Sequence, residues 1–109
     1  MERYHVELRD CYEGIDEREL DRVVLDLPEP WQVVPHAMEA LRPGGILIAY
    51  TPSILQVSQL RDALASKAWS GTRTLEVLHR GWYVEGQAVR PDHRMVAHTG
   101  FLTTGRFLG

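Results

Sequence analysis

The sequence predicts an α/β fold in which a parallel sheet with helices ends in an antiparallel β-ribbon. Three observations carry this. Two continuous apolar runs of strand length, "RVVLDL" (22–27) and "ILIAYTP" (46–52), each stop at a proline. Each run is followed by a stretch with helical apolar spacing. The last third holds two extended segments with no helical period between them.

Taken in order, "YHVELRD" (4–10) alternates, with Tyr4, Val6 and Leu8 on one side and His5, Glu7 and Arg9 on the other, a strand pattern. "YEGIDERELD" is polar and reads as a loop. "RVVLDL" has the continuous apolar character of a strand covered on both faces. In "WQVVPHAMEAL", Val33, Ala37, Met38 and Leu41 recur at helical spacing. Pro35 is tolerable only in a first turn, which sets the helix start near Val33. "RPGG" (42–45) ends that helix and turns the chain into the second buried strand. "SILQVSQLRDALASKAW" (53–69) is amphipathic, with Leu55, Leu60, Leu64 and Ala68 on one face and Ser53 as N-cap. "TRTLEVLHRGWYVEG" (72–86) and "RMVAHTGFLTTGRFL" (94–108), joined by "QAVRPDH", should pair antiparallel. The chain thus reads as one domain over 1–109, a parallel α/β part (1–71) followed by a β-ribbon (72–109).

The formal charge is −3, with no basic excess that would announce nucleic-acid binding. Cys11 stands alone, so neither a disulfide framework nor a cysteine metal site is expected, and a reducing, cytoplasmic setting fits. The five histidines show no zinc-ligand spacing, so no metal is predicted. No apolar run approaches the roughly 20 residues of a membrane span, and no signal peptide is visible.

The chemistry points to the strand ends. In open α/β sheets ligands bind at the C-terminal ends of the strands. Here those ends read Asp26-Leu27-Pro28-Glu29-Pro30-Trp31 and Tyr50-Thr51-Pro52. Proline fixes φ and pushes the preceding residue toward extended geometry, so both exits are stiff. Asp26 would point out of the sheet top with Trp31 as a flat wall. A carboxylate accepts from an exocyclic amine and an aromatic ring stacks, a pairing suited to a nucleobase. An Asp at a strand end also caps helices, and a Trp also simply packs. On the residues alone, both readings stand.

"DLPEPW" (26–31), "LRPGGILIAYTPSILQV" (41–57), "EVLHRGWYVEGQAVRP" (76–91) and "RMVAHTGFL" (94–102) together resemble the bacterial and archaeal tRNA (adenine-58-N1) methyltransferase family. The resemblance covers nearly the whole chain, and its first and last stretches are the specific ones. It implies the C-terminal part of a Rossmann-like class I methyltransferase sheet, with S-adenosylmethionine as cofactor of the complete enzyme and tRNA as substrate. It implies that Asp26 is the catalytic acid, which holds the target adenine and borders the cofactor. Asp10 matches the acid beside the cofactor's adenine, although the family usually has Gly where this chain has Arg9. Pro28, Trp31, Tyr50, Thr51, Pro52 and Gln56 would shape the substrate cleft. Arg80, Trp82, Arg90, Arg94 and His98 are candidates for tRNA or subunit contact. Against that, Arg on a β-ribbon is commonly solvated, and Trp82 would pack.

The family's first half is not matched. No E-x-G-x-G-x-G loop is present, and the first segment matches the third strand of a sheet ordered 3-2-1-4-5-7-6. Strands 1 and 2 would lie between segment 4–10 and "VVLDL". The expectation is a fragment that carries the substrate half, binds the cofactor poorly alone and leaves segment 4–10 without a neighbour in its usual place; either that segment slides over to pair with "VVLDL" or a second copy covers the edge, and the fragment self-associates, as the tetrameric family does. Two other readings compete: a non-catalytic tRNA-binding or assembly module, and a fragment of another class I methyltransferase.

Overall fold

The computed structural model describes residues 3–91 and 98–109. β1 (Leu20–Asp26) leads through a 3-10 turn (Pro30–Gln32) into α1 (Val34–Ala40), β2 (Leu41–Thr51) and α2 (Ile54–Ala63). β3 (Trp69–His79), β4 (Trp82–Glu85), β5 (Ala88–Pro91) and β6 (His98–Phe107) complete the chain. The main sheet has the order β1-β2-β6-β3. β1 and β2 are parallel, while β6 runs antiparallel between β2 and β3. This is the 4-5-7-6 half of the expected order.

Burial explains why these residues make these strands. Val23 and Leu25 of β1, Leu47 and Ala49 of β2, and Thr103 and Phe107 of β6 face one side and are buried. Val33, Val34, Ala37, Val57, Leu60 and Leu64 from the helical segments close that side. The Trp69 and Phe107 rings meet with centroids 5.3 Å apart at its far end. Leu47 and Leu60 are fully buried.

Several expectations need correction. β1 is covered on one face only: Val24, on the other face, is 70% exposed. A continuous apolar run reports that apolar side chains are present, not that both faces find partners. Residues 4–10 have no neighbour, as expected, but they neither form a strand nor slide over to pair with β1, and Tyr4, Val6 and Leu8 all lie exposed. Alternation fits a strand, but a strand exists only beside a neighbour. The helix expected over 53–69 ends at Ala63, where Leu64 caps it and Ser66 Oγ accepts the Ala68 N–H. Its buried face is Val57, Leu60 and Leu64, and Leu55 is exposed. Ser53 does cap its start, accepting the Leu55 N–H.

"RPGG" lies inside β2 as an irregularity rather than a turn. Leu20 pairs with Leu41 and Arg22 with Ile46, so the intervening residues loop out. Gly44 takes a φ of +86° there, a conformation glycine adopts without strain. The segment expected as one strand over 72–86 is split. β3 ends at His79 and pairs with β6, while Trp82–Glu85 turns back on Ala88–Pro91 as a separate hairpin. Part of "QAVRPDH" is therefore strand rather than connection.

One-sided burial makes a contrast that a stability measurement can check. Leu47→Ala should destabilise the isolated chain by about 2–5 kcal/mol. Val24→Thr, on the open face one residue from two core positions, should change stability by no more than about 0.5 kcal/mol. Chemical denaturation of both variants reads the difference, and equal losses would mean that the open face is packed.

Candidate nucleobase cleft at the ends of β1 and β2

Parallel pairing places Asp26 directly beside Tyr50. Both strands then meet proline and stop, and the gap beyond them is a cleft of about 310 Å³ lined by Asp26, Leu27, Pro28, Tyr50, Pro52 and Gln56. Among the described residues the Asp26 carboxylate has no hydrogen-bond or ion-pair partner. It is exposed, so it stays available to a ligand. The Tyr50 ring lies across Gly100 of β6, where an added methyl would sit 2.6 Å from the tyrosine hydroxyl oxygen. Glycine at this position leaves room for the ring to form the cleft's second wall.

The loop after β1 is held by side chains. Gln56 Nε2 donates to the Pro28 carbonyl at 2.8 Å, and the Glu29 N–H donates to the Tyr12 hydroxyl at 3.0 Å. Gln56 thus lines the cleft and braces its rim at once. Pro30 is fully buried and opens the 3-10 turn. Trp31 is half-buried in that turn and does not line the cleft, so the flat wall expected of it is supplied by Tyr50. Thr51 is fully buried, facing the helices.

Asp10 sits elsewhere. It closes a turn in which its carboxylate accepts the Tyr12 N–H at 2.9 Å and its carbonyl accepts the Glu13 N–H at 3.1 Å. It lines a separate small hollow with Arg9, Glu13, Gly14 and Asp16. The structure therefore does not bring Asp10 and Asp26 into one cleft. A larger hollow of about 390 Å³ lies against His5, Glu7 and Arg9 of the exposed N-terminal segment. Its charged walls pair with one another, and it lies away from the strand ends, so the cleft at Asp26 is the stronger candidate.

Arg90 lies in the hairpin with its guanidinium 4.5 Å from the centre of the Tyr83 ring. Arg80 lies in the connection between β3 and β4. Trp82, expected to pack, is 56% exposed. Arg94 lies outside the described residues, as does the side chain of His98. Among the described residues no group of His, Cys, Asp and Glu could hold a metal ion, and no helix is long and apolar enough to cross a membrane.

The profile of the family described as the tRNA methyltransferase complex GCD14 subunit matches residues 1–90. The chain belongs to this family. It is 39% identical over 98 residues to the tRNA (adenine(57)-N(1)/adenine(58)-N(1))-methyltransferase TrmI of Methanocaldococcus jannaschii, covering 89% of this chain and 35% of that protein. It is 40% identical over 92 residues to the tRNA (adenine(58)-N(1))-methyltransferase TrmI of Thermus thermophilus, covering 84% and 36%. The chain thus spans about a third of the length of these relatives. Among solved structures, a SAM-dependent O-methyltransferase from Thermotoga maritima superposes with a TM-score of 0.80 at 32% identity, covering 93% of this chain and 38% of that one. The tRNA (m1A58) methyltransferase TrmI of Aquifex aeolicus gives 0.74 at 26% identity, covering 89% and 40%. The fold is part of a class I methyltransferase sheet, as the resemblance implied.

The Arg9–Glu17 ion pair carries a pH dependence. Arg9 donates to Glu17 Oε1 at 2.8 Å and lies 3.8 Å from Asp16. The hydrogen bond from Arg9 is the main cause holding the Glu17 carboxyl below its ordinary value, and the same bond raises Arg9. A lowered folded-state pKa gives an interaction present above the unfolded value of about 4.3 and lost as pH falls through the folded one. A carbon-detected titration of Glu17 should show a midpoint below that value, and Arg9→Ala should move it upward toward that value. A midpoint that ignores Arg9→Ala would show that the pair does not form.

Proposed function

We propose that this chain supplies the nucleobase half of a tRNA (adenine-N1) methyltransferase. The Asp26 carboxylate, without a hydrogen-bond or ion-pair partner among the described residues and set beside Tyr50 at the ends of two proline-stopped strands, is the observation that carries this reading. Adenine N1 is already a nucleophile, so the larger need is to hold its lone pair in line with the methyl group. Asp26 accepts a hydrogen bond from the exocyclic N6 and so orients the base. As N1 gains a bond the ring becomes cationic, and the adjacent carboxylate stabilises that charge. Tyr50 and Pro28 form the walls that exclude alternative poses.

S-adenosylmethionine, when bound, supplies the methyl group. The described residues offer Asp10 and Asp26 as acids toward such a cofactor and no glycine-rich cradle for its amino-acid end. The chain by itself is therefore read as a poor binder. Its proposed partners are tRNA, a polypeptide carrying the glycine-rich half, and further copies of the chain. Arg80, Arg90, Arg94 and His98 remain the candidate RNA contacts. Because most of the site's cofactor residues lie outside what this chain matches, a non-catalytic binding or assembly role is the second reading.

Two experiments test this. Isothermal titration with S-adenosylmethionine should show tight binding only after the glycine-rich half of a relative is added as a separate polypeptide. That mixture should methylate N1 of adenine 58 in tRNA, and Asp26→Ala should lower the rate by about 10²-fold or more. A mixture that binds cofactor and tRNA without methyl transfer would favour the assembly role. Independently, Trp82, Tyr83, Val84 and Val89 are all exposed on a two-stranded hairpin, which is marginal alone. Self-association through it should appear in sedimentation velocity and weaken in Trp82→Glu combined with Val84→Glu. A monomer at all concentrations would remove the homo-oligomer from the proposal.

A further inference from the structure

We propose that Tyr12 is a positioning residue for Asp26, acting through a single peptide group that it grips together with Gln56. The Pro28 carbonyl and the Glu29 N–H belong to the same peptide unit. Gln56 Nε2 donates to the carbonyl at 2.8 Å, and the N–H donates to Tyr12 Oη at 3.0 Å. In a trans peptide these two groups point in opposite directions, so the unit is held from both sides.

The sequence makes this grip necessary. Pro28 and Pro30 have no N–H, so Glu29 is the one main-chain donor across residues 28–30. β1 ends at Asp26, and no ladder bond holds the residues after it. Among the described residues Tyr12 Oη is the acceptor this donor finds. Tyr12 is itself fixed at three points. Its N–H donates to Asp10 Oδ1 at 2.9 Å, its carbonyl lies 3.0 Å from His36 Nε2, and its side chain packs half-buried against the core. The anchor is therefore itself held in place. It also runs as one hydrogen-bonded path from the Asp10 turn through the Asp26 loop to α2. Two acids that share no cleft are thereby tied mechanically.

That Asp26 then aims at a base rests on the function proposed above; the grip itself does not. The test uses this chain with Tyr12→Phe, which keeps the ring and removes the hydroxyl, and Gln56→Glu, which keeps the shape and removes the donor. Amide exchange, the Asp26 carboxyl carbon shift at neutral pH and an adenosine titration are read on each by NMR. In Tyr12→Phe, Glu29 exchange should rise roughly two- to tenfold, the worth of one hydrogen bond. The core amides of Leu47 and Ala49 should not change. The Asp26 carboxyl signal should move in both variants, and adenosine should bind several-fold more weakly. Unchanged Glu29 exchange, or an Asp26 signal that stays in place, overturns the proposal. If wild-type chain binds no adenosine while Glu29 and Asp26 respond as expected, the grip is upheld and the base-recognition reading fails.

Discussion

Parallel pairing of β1 with β2 sets two proline-stopped strand ends side by side, and the rest of the candidate site depends on it. The pairing is held by one buried face: Val23 and Leu25 meet Leu47 and Ala49 under the helices. Side chains alternate along a strand, so burying Leu25 and Ala49 turns Asp26 and Tyr50 to the other face. The residues that make the core thus also decide which residues reach the cleft. A slip of one residue would bury Asp26, expose Leu25 and remove the site. The register is therefore fixed by hydrophobic burial worth far more than any polar contact at the rim.

The same one-sidedness has a cost. Parallel sheets are ordinarily covered on both faces. Here Val24, Tyr50, Leu75 and Val77 are all substantially exposed, and β1 is an unpaired edge. Bare apolar edges invite pairing with another chain. Residues 4–10 present an alternating segment in no ladder at all. A covered core, an open face, an open edge and an unpaired segment together describe a folded unit with room for more polypeptide on one side. The proposed split between a nucleobase half and a cofactor half accounts for all four features with a single partner.

Much of this was legible in the sequence. β1, β2 and the start of α1 follow from apolar runs, Pro35 and the prolines that end the strands. Asp26, Pro28, Tyr50, Pro52 and Gln56, expected from the family motif to shape one cleft, do line one. What was not legible depends on neighbours. Alternation in 4–10 shows strand propensity but names no partner. The apolar run at 22–27 does not say that one face stays open. The split of 72–86 turns on a local hairpin that competes with the longer pairing. Trp31 was expected at the cleft because it ends the motif. Yet Pro30 starts a 3-10 turn, which carries the next residue away from the strand direction. Tyr12 reads as loop in the sequence because a hydroxyl that meets a backbone group 17 residues away leaves no periodic trace.

Asp26 shows where folding stops explaining the sequence. Its carboxylate has no hydrogen-bond or ion-pair partner among the described residues, so no polar bond of its own helps to hold β1 in place. An apolar residue there would suit the strand at least as well, given the exposed Val24 beside it on the same face. The stiff prolines and the side chains bonded to the Pro28–Glu29 peptide order the loop that follows this acid, and among the described residues Asp26 is the acid that lines the cleft. Tyrosine and glutamine side chains fix one peptide group beside an acid that has no hydrogen-bond or ion-pair partner among the described residues, and the proposed function gives that arrangement a use.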